Sequence, residues 1–148
     1  MPKSLSSLQK SYLAGFLDGD GSIYVRLKPN RTYRYGFQVA PYIVLFQSAK
    51  DRRNFEKVCR LIRCGYMRER KDGILEYTIV RKEAILTFLA WIKPYAVMKK
   101  KQVALMEEIL KRKEKVKNKN DFALLMKLVN RFRDINYSKK RKMHILTP

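Results

Sequence analysis

The sequence predicts an α+β fold in the order αββαββα with two further C-terminal helices, its four strands forming one antiparallel sheet backed by helices. Three observations carry that prediction. The apolar period changes from helical to alternating between Gly19 and Ile23. A unit of two alternating stretches followed by a helical one then occurs twice. The last third of the chain returns to helical spacing. One domain is expected over residues 1–148, with a motif helix at about 7–20 and a basic tail at about 138–148.

Taken in order, residues from about Ser7 to Gly19 read as the first helix, with Leu8, Tyr12, Gly15, Phe16 and Gly19 along one face. In the first strand Ile23, Val25 and Leu27 point one way and Tyr24, Arg26 and Lys28 the other. Pro29-Asn30-Arg31-Thr32 marks a turn. The second strand sets Phe37, Val39, Ile43 and Leu45 toward the core and Gln38, Ala40, Tyr42 and Val44 away from it. Pro41 predicts an edge position or a bulge there, since proline cannot donate to a ladder. Ser48-Ala49-Lys50-Asp51 reads as a capping box with Asp in place of Glu, ahead of a helix ending near Gly65. Residues 66–70 and 75–79 read as a hairpin turning at Asp72-Gly73. Helices follow to just before Pro94, from about Val97 through Leu110, and behind a cap at Asp121.

Composition narrows the function classes. Lys plus Arg number 34 against 13 for Asp plus Glu, a net charge of +21. Such an excess opposes compaction and calls for a polyanionic partner, nucleic acid first and an anionic membrane surface second. No apolar run approaches the roughly 18 residues of a membrane span, so no membrane role is expected. Cys59 and Cys64 do not form a Cys-x-x-Cys pair, and His144 is the single histidine. Zinc chemistry is thereby disfavoured, and two reduced, mostly buried thiols are expected. No leader-like apolar region follows Met1-Pro2-Lys3. The expected location is a prokaryotic cytoplasm or the interior of an organelle.

The stretch 12–21, Tyr-Leu-Ala-Gly-Phe-Leu-Asp-Gly-Asp-Gly, organises the rest. Gly15 inside a helix loses roughly 1 kcal/mol against alanine, so a packing reason is expected. Gly19 lies one turn on and shares its face, a stripe that lets two such helices approach closely. Asp18 and Asp20 fall where the helix ends, with Gly21 as the expected C-cap. A carboxylate there opposes the helix dipole unless a cation compensates it. Two readings stay open: solvated end-of-helix aspartates, or oxygen ligands for a hard cation.

The run 13–21, Leu-Ala-Gly-Phe-Leu-Asp-Gly-Asp-Gly, closely resembles the signature of the LAGLIDADG homing endonucleases, in the pattern of the single-motif members. The resemblance implies that Asp20 is the metal-binding carboxylate, with the Gly19 carbonyl beside it and Asp18 in a structural role. It implies Mg²⁺ as cofactor, with Mn²⁺ able to substitute. Gln47 matches a position that orients water, Lys99 a basic residue beside the scissile phosphate, with Lys100 and Lys101 leaving the register open, and Arg52 a basic residue near the active-site waters. Ser138, Lys139 and Lys142 resemble phosphate-contacting tail residues.

The even-numbered sheet face offers long donors and amides of the kind that read base edges in the major groove: Tyr24, Arg26, Lys28, Gln38, Arg68, Arg70, Glu76 and Thr78. The bland alternative is a solvated sheet face. In the family this sheet is a saddle over double-stranded DNA. Asn30, Thr32 and Tyr33 in the connecting turn extend that surface, Tyr42 and Val44 are apolar enough to touch thymine methyls, and Ala40 is counted among the DNA-binding positions. One metal-binding carboxylate per chain is too few to cut two strands. A homodimer follows, packed through Leu8, Tyr12, Gly15, Phe16 and Gly19, and acting on a pseudo-palindromic target; the resemblance implies that the cut leaves short 3′ overhangs. Alternative readings are an RNA-binding maturase acting on intron RNA, and a DNA-binding regulator that no longer cuts.

Overall fold

The computed structural model describes residues 4–136. Helix α1 (Ser7–Asp20) begins at a reciprocal capping box in which Ser6 Oγ accepts the Gln9 N–H and Gln9 Oε1 accepts the Ser6 N–H. It ends at Gly21, which is extended (φ −130°, ψ 173°) rather than left-handed. The expected glycine cap therefore takes another form. A Cβ at Gly21 would stand 2.8 Å from the Leu17 carbonyl oxygen and 2.9 Å from the Leu17 Cα. The chain turns back so closely over its own helix that only glycine fits.

Strands β1 (Gly21–Pro29) and β2 (Phe37–Ser48) are joined by a loop closed by the Gly36 N–H on the Tyr33 carbonyl, with Gly36 at positive φ. A single 3-10 turn, Ala49–Asp51, leads into α2 (Arg52–Ile62). Here the predicted capping box is not made. Ser48 Oγ accepts the Lys50 N–H of the short turn, and Asp51 starts α2 without a side-chain cap, because the intervening 3-10 turn shifts the register. Strands β3 (Tyr66–Glu69) and β4 (Ile74–Ile79) form the predicted hairpin around Gly73, whose φ of 81° a side-chain-bearing residue would resist. Helices α3 (Lys82–Ile92), α4 (Lys100–Lys113) and α5 (Lys119–Ile135) complete the described chain.

The strand order is β1-β2-β4-β3, with β4 antiparallel to both its neighbours. Pro41 lies on a strand with neighbours on both sides, yet locally at an edge, since β4 does not reach it. It is tolerated because the β2–β4 ladder begins only at Ile43, opposite Ile79 at the last position of β4. The last helix also starts differently. Asn118 caps it, its Oδ1 accepting the Asp121 N–H, while Asp121 sits in the first turn and accepts from the Lys117 N–H.

Two compact units divide the chain, and β1 and β2 each run from one into the other. The first, residues up to 23 with 42–100, packs α1 on α3 and buries Leu13, Leu17, Ile43, Leu45, Phe55, Ile62, Leu75, Phe88 and Leu89. Each such side chain contributes roughly 1.5–3 kcal/mol by leaving water. The second, residues 24–41 with 101 onward, buries Val25, Val39, Met106, Ile109, Leu125, Val129 and Phe132. Lys113 Nζ donates to the Val39 carbonyl there at 2.8 Å, and Gln102 Nε2 to the Ile135 carbonyl at 3.0 Å. No helix among the described residues is long and apolar enough to cross a membrane. Both cysteines are free, Cys59 buried and its thiol pushed up to about 12 by burial.

In the first unit the Gly65 N–H donates to Tyr77 Oη at 2.8 Å, and burial pushes that phenol up to about 12. A Cβ at Gly65 would meet the Tyr77 ring and the Thr78 carbonyl at 2.7 Å. Gly65→Ala is expected to destabilise the protein by about 1–3 kcal/mol, since an inner-strand ring and a backbone carbonyl must both shift. Denaturant unfolding measures it; an unchanged midpoint would mean that the hairpin gives way freely at this point.

Candidate functional site

The end of α1 separates its two aspartates. Asp18 turns inward, and both its oxygens are taken: Oδ2 accepts the N–H groups of Val97 (2.8 Å) and Met98 (3.0 Å), and Oδ1 that of Lys99 (3.0 Å). These amides lie in the turn just ahead of α4, where helix N–H groups lack partners of their own. Lys99 Nζ donates to the Asp18 carbonyl oxygen at 3.1 Å. That ammonium is the cation which the C-terminal end of the α1 dipole lacked. Burial lowers the Lys99 pKa from its ordinary value, and the Asp18 charge partly opposes the shift. Lys99 is 7% exposed, whereas Lys100 and Lys101 are open to solvent, so Lys99 alone of the three is held against the motif.

Asp20, by contrast, is exposed, and no described group hydrogen-bonds or pairs with it. Beside it the carbonyls of the last turn of α1 have no intrahelical donor, Gly19 among them. An open carboxylate with neighbouring carbonyl oxygens is a donor set for a hard cation such as Mg²⁺. It is incomplete in one chain, for no three His, Cys, Asp or Glu side chains group together among the described residues.

Helix α1 buries Leu13, Ala14 and Leu17 and leaves the opposite face uncovered. Leu8 is 84% exposed and Tyr12 56%, with Gly15 and Gly19 exposed on the same side. Cβ atoms added at Gly15 or Gly19 would meet nothing within 4 Å. Phe16 is half-buried, stacked on Phe55 with ring centroids 5.8 Å apart.

Gln47, at the end of β2, is half-buried opposite Leu75; its Oε1 accepts the Ser48 N–H at 2.9 Å. Arg52 pairs with Glu69 at the end of β3. In the first unit's sheet, Glu76 holds Arg68 at 3.1 Å and Arg70 at 4.0 Å, and Arg70 also pairs with Asp72. The acid among the predicted contact residues is thus already engaged. Thr78 and Val44 face one another across β2 and β4 and are buried, Val44 to 2% exposure. Both lie on inner strands, where short side chains are walled in by longer neighbours, so the expected contacts from them are not offered.

In the second unit Ala40 is buried as well, while Arg26 and Lys28 are exposed and Tyr24 and Gln38 half-exposed. The Arg26 guanidinium lies 5.8 Å over the Tyr24 ring. Asn30 Oδ1 accepts both the Thr32 N–H (3.0 Å) and the Thr32 hydroxyl (2.7 Å), so these two hold the loop in shape. Tyr33 projects from that loop. Ser138, Lys139 and Lys142 lie outside the described residues.

Missed from the sequence were the 97–99 amides, assigned to a helix that in fact starts at Lys100. A signal existed: residues 93–99 contain no Ser, Thr, Asp or Asn to cap α4.

Comparison with known proteins gives a consistent picture. The family model described as LAGLIDADG endonuclease matches residues 13–109. DNA endonuclease I-CreI of Chlamydomonas reinhardtii is 32% identical over 132 residues, 88% of this chain and 80% of that protein. DNA endonuclease I-CvuI of Chlorella vulgaris is 31% identical over 119 residues, 80% of this chain and 72% of its own. The crystal structure of I-CvuI with the I-CreI target in the presence of magnesium, its DNA uncleaved, has a TM-score of 0.83 at 28% identity, covering 90% of this chain and 85% of that one. The structure of I-CvuI with its own target and calcium has a TM-score of 0.82 at 25% identity, covering 95% and 93%.

Asp18→Ala is expected to remove about 1–2 kcal/mol of stability, the scale of a lost helix cap, and to speed amide exchange at residues 97–99. Unfolding and hydrogen exchange would test this together. Unaltered protection of those amides would mean that the turn holds itself.

Proposed function

The chain belongs to the LAGLIDADG endonuclease family and is a DNA endonuclease of the homing type; from that premise we propose that it acts as a Mg²⁺-dependent homodimer cutting both strands of a long, pseudo-palindromic duplex. The observation that carries the proposal is the open Asp20 carboxylate at the end of a helix face that the chain itself leaves uncovered. One chain supplies one Asp20. A second copy related by a two-fold axis along α1 supplies another beside it.

In this reading Asp20 and the Gly19 carbonyl hold the cation, as do hard oxygen ligands generally. The divalent ion supplies charge neutralisation at the phosphate and its leaving oxygen. Magnesium and calcium accompany the I-CvuI complexes, which supports a divalent ion of this kind. Gln47 orients the attacking water through its amide group. Lys99, tethered to the end of α1, keeps positive charge beside the reacting phosphate. Arg52, braced by Glu69, adds to that field. Arg26, Lys28 and Gln38 with the Arg68 and Arg70 pair grip and read the duplex, and Tyr33 extends the contact at the loop.

Two outcomes are expected. Asp20→Asn abolishes plasmid cleavage in Mg²⁺ while target binding by gel shift stays within about threefold, as for a group acting only on the reacting phosphate. Full cleavage by that variant would sink the mechanism; tight binding with no cut by the unmodified protein would point to a regulator that no longer cleaves. Gly19→Leu fits the lone chain, since no atom lies within 4 Å. It should keep or raise the stability of the monomer, leucine being about 1 kcal/mol better in a helix, yet abolish the dimer in sedimentation. A tight dimer in that variant would refute this interface.

A further inference from the structure

Within the second unit, α5 and the β1–β2 loop enclose an open groove of about 700 Å³. Its chemistry is one-sided. Arg34, Lys119 and Lys127 line it, and no acid does among the described residues. The neighbouring groove along α4 and α5 is different: it contains Glu108 and Asp121, and Glu108 is already paired with Arg112. The wall of the basic groove is aromatic. Tyr35 stacks on Phe122 with ring centroids 5.0 Å apart and planes 26° from parallel, and the Arg34 guanidinium lies 5.6 Å over the Tyr35 ring. Tyr35 Oη is out of contact with water and has no hydrogen-bond partner among the described residues. A buried hydroxyl left in that state is unfavourable and calls for a polar partner. Asn130, exposed on the same wall, adds an amide that both donates and accepts.

Cations without acids select an anion; the apolar wall of Phe122, Ala123 and Met126 selects a flat, apolar face; an amide and a spare hydroxyl select a polar edge. A nucleotide unites the three. Bases inside a duplex have their faces covered, so the occupant is an unpaired one. We propose that this groove is a second nucleic-acid site, binding an unpaired base with its phosphate, from a single strand or as a free nucleotide. It is separate from the cleavage chemistry: it needs neither Asp20, nor a cation, nor a second copy of the chain.

The test uses the full chain, without divalent ions and at raised salt to suppress binding by net charge. The probes are single-stranded oligonucleotides of about eight residues, one of them carrying iodouracil for photocrosslinking, and free nucleoside monophosphates. Oligonucleotide binding is expected to weaken about tenfold in Lys127→Glu and severalfold in Asn130→Ala and Tyr35→Phe. Lys57→Glu on α2 makes the same change in net charge and should move it less than twofold. The crosslink should map to Tyr35 or Phe122. Binding of monophosphates with the same sensitivity to Lys127 would identify a free nucleotide as the occupant, and binding of oligonucleotides alone would identify a strand. The proposal is overturned if neither binds, if Lys57→Glu weakens binding as much as Lys127→Glu, or if the crosslinks fall elsewhere. Loss of duplex cleavage in Asp20→Asn has no bearing on these readouts.

Discussion

The Asp18 carboxylate spans 79 to 81 positions of chain to take three successive N–H groups, and the geometry at the motif end depends on that contact. A carboxylate at the C-terminal end of its own helix is badly placed by itself. Here the amides of residues 97–99, at the positive end of α4, supply the compensating field, and the Lys99 ammonium adds a full charge on the Asp18 carbonyl. One contact therefore settles three matters. It engages both oxygens of Asp18 with amide donors and gives that carboxylate a structural task at the helix end. It fixes Lys99, rather than its neighbours, beside the end of α1. It also holds out the turn whose Val97 and Met98 side chains are 70% and 61% exposed, next to a helix face that is itself uncovered.

Charge works differently along the strands. A net charge of +21 leaves few acids to place. Glu69 and Glu76 are spent on arginines, Arg52 in one case and Arg68 with Arg70 in the other. Exposed pairs of this kind are worth about 0–1 kcal/mol, so they are not what holds the sheet together. Their effect is directional. An arginine braced by a carboxylate has fewer rotamers to surrender on meeting a phosphate or base edge, and its fork is presented at a set angle. The same logic applies to Asn30 and Thr32, which spend hydrogen bonds on the loop that carries Tyr33.

Where the signal is local, the fold was legible in the sequence. The change of period after Gly19, the Asp72-Gly73 turn and the apolar spacing of α2 and α3 depend on residues within a few positions of one another, and the elements stand where those residues put them. Start points decided by distant partners were not legible. Helix α4 begins three residues later than its apolar pattern suggests because its donors answer to Asp18. Pro41 is tolerated within β2 because β4 stops at Ile79, a fact about another strand's length. Alternation gave faces for β1 and β2 but not depth, so Ala40, Val44 and Thr78 were read as surface although all three are buried. The motif singled out Asp20 and left the basic residue open among Lys99, Lys100 and Lys101, whereas the groove of Tyr35 and Phe122 joins residues far apart in sequence that no spacing rule connects.

The glycines of the motif separate into two kinds. Gly21 is demanded by the chain's own path, since a Cβ would run into Leu17. Gly15 and Gly19 meet nothing of the sort, and both lie within a helix where glycine is about 1 kcal/mol worse than alanine. Nothing inside the described chain repays that loss. A reason outside the chain has to be sought on the face they share with Leu8 and Tyr12, and close approach of another backbone is the property that a missing Cβ confers. An identical helix meets that requirement economically, because each copy brings the same two gaps to the same axis. The proposed two-fold approach would set one Asp20 beside the other, and the loss in helix propensity and the incomplete cation site in a single chain would then share one physical explanation.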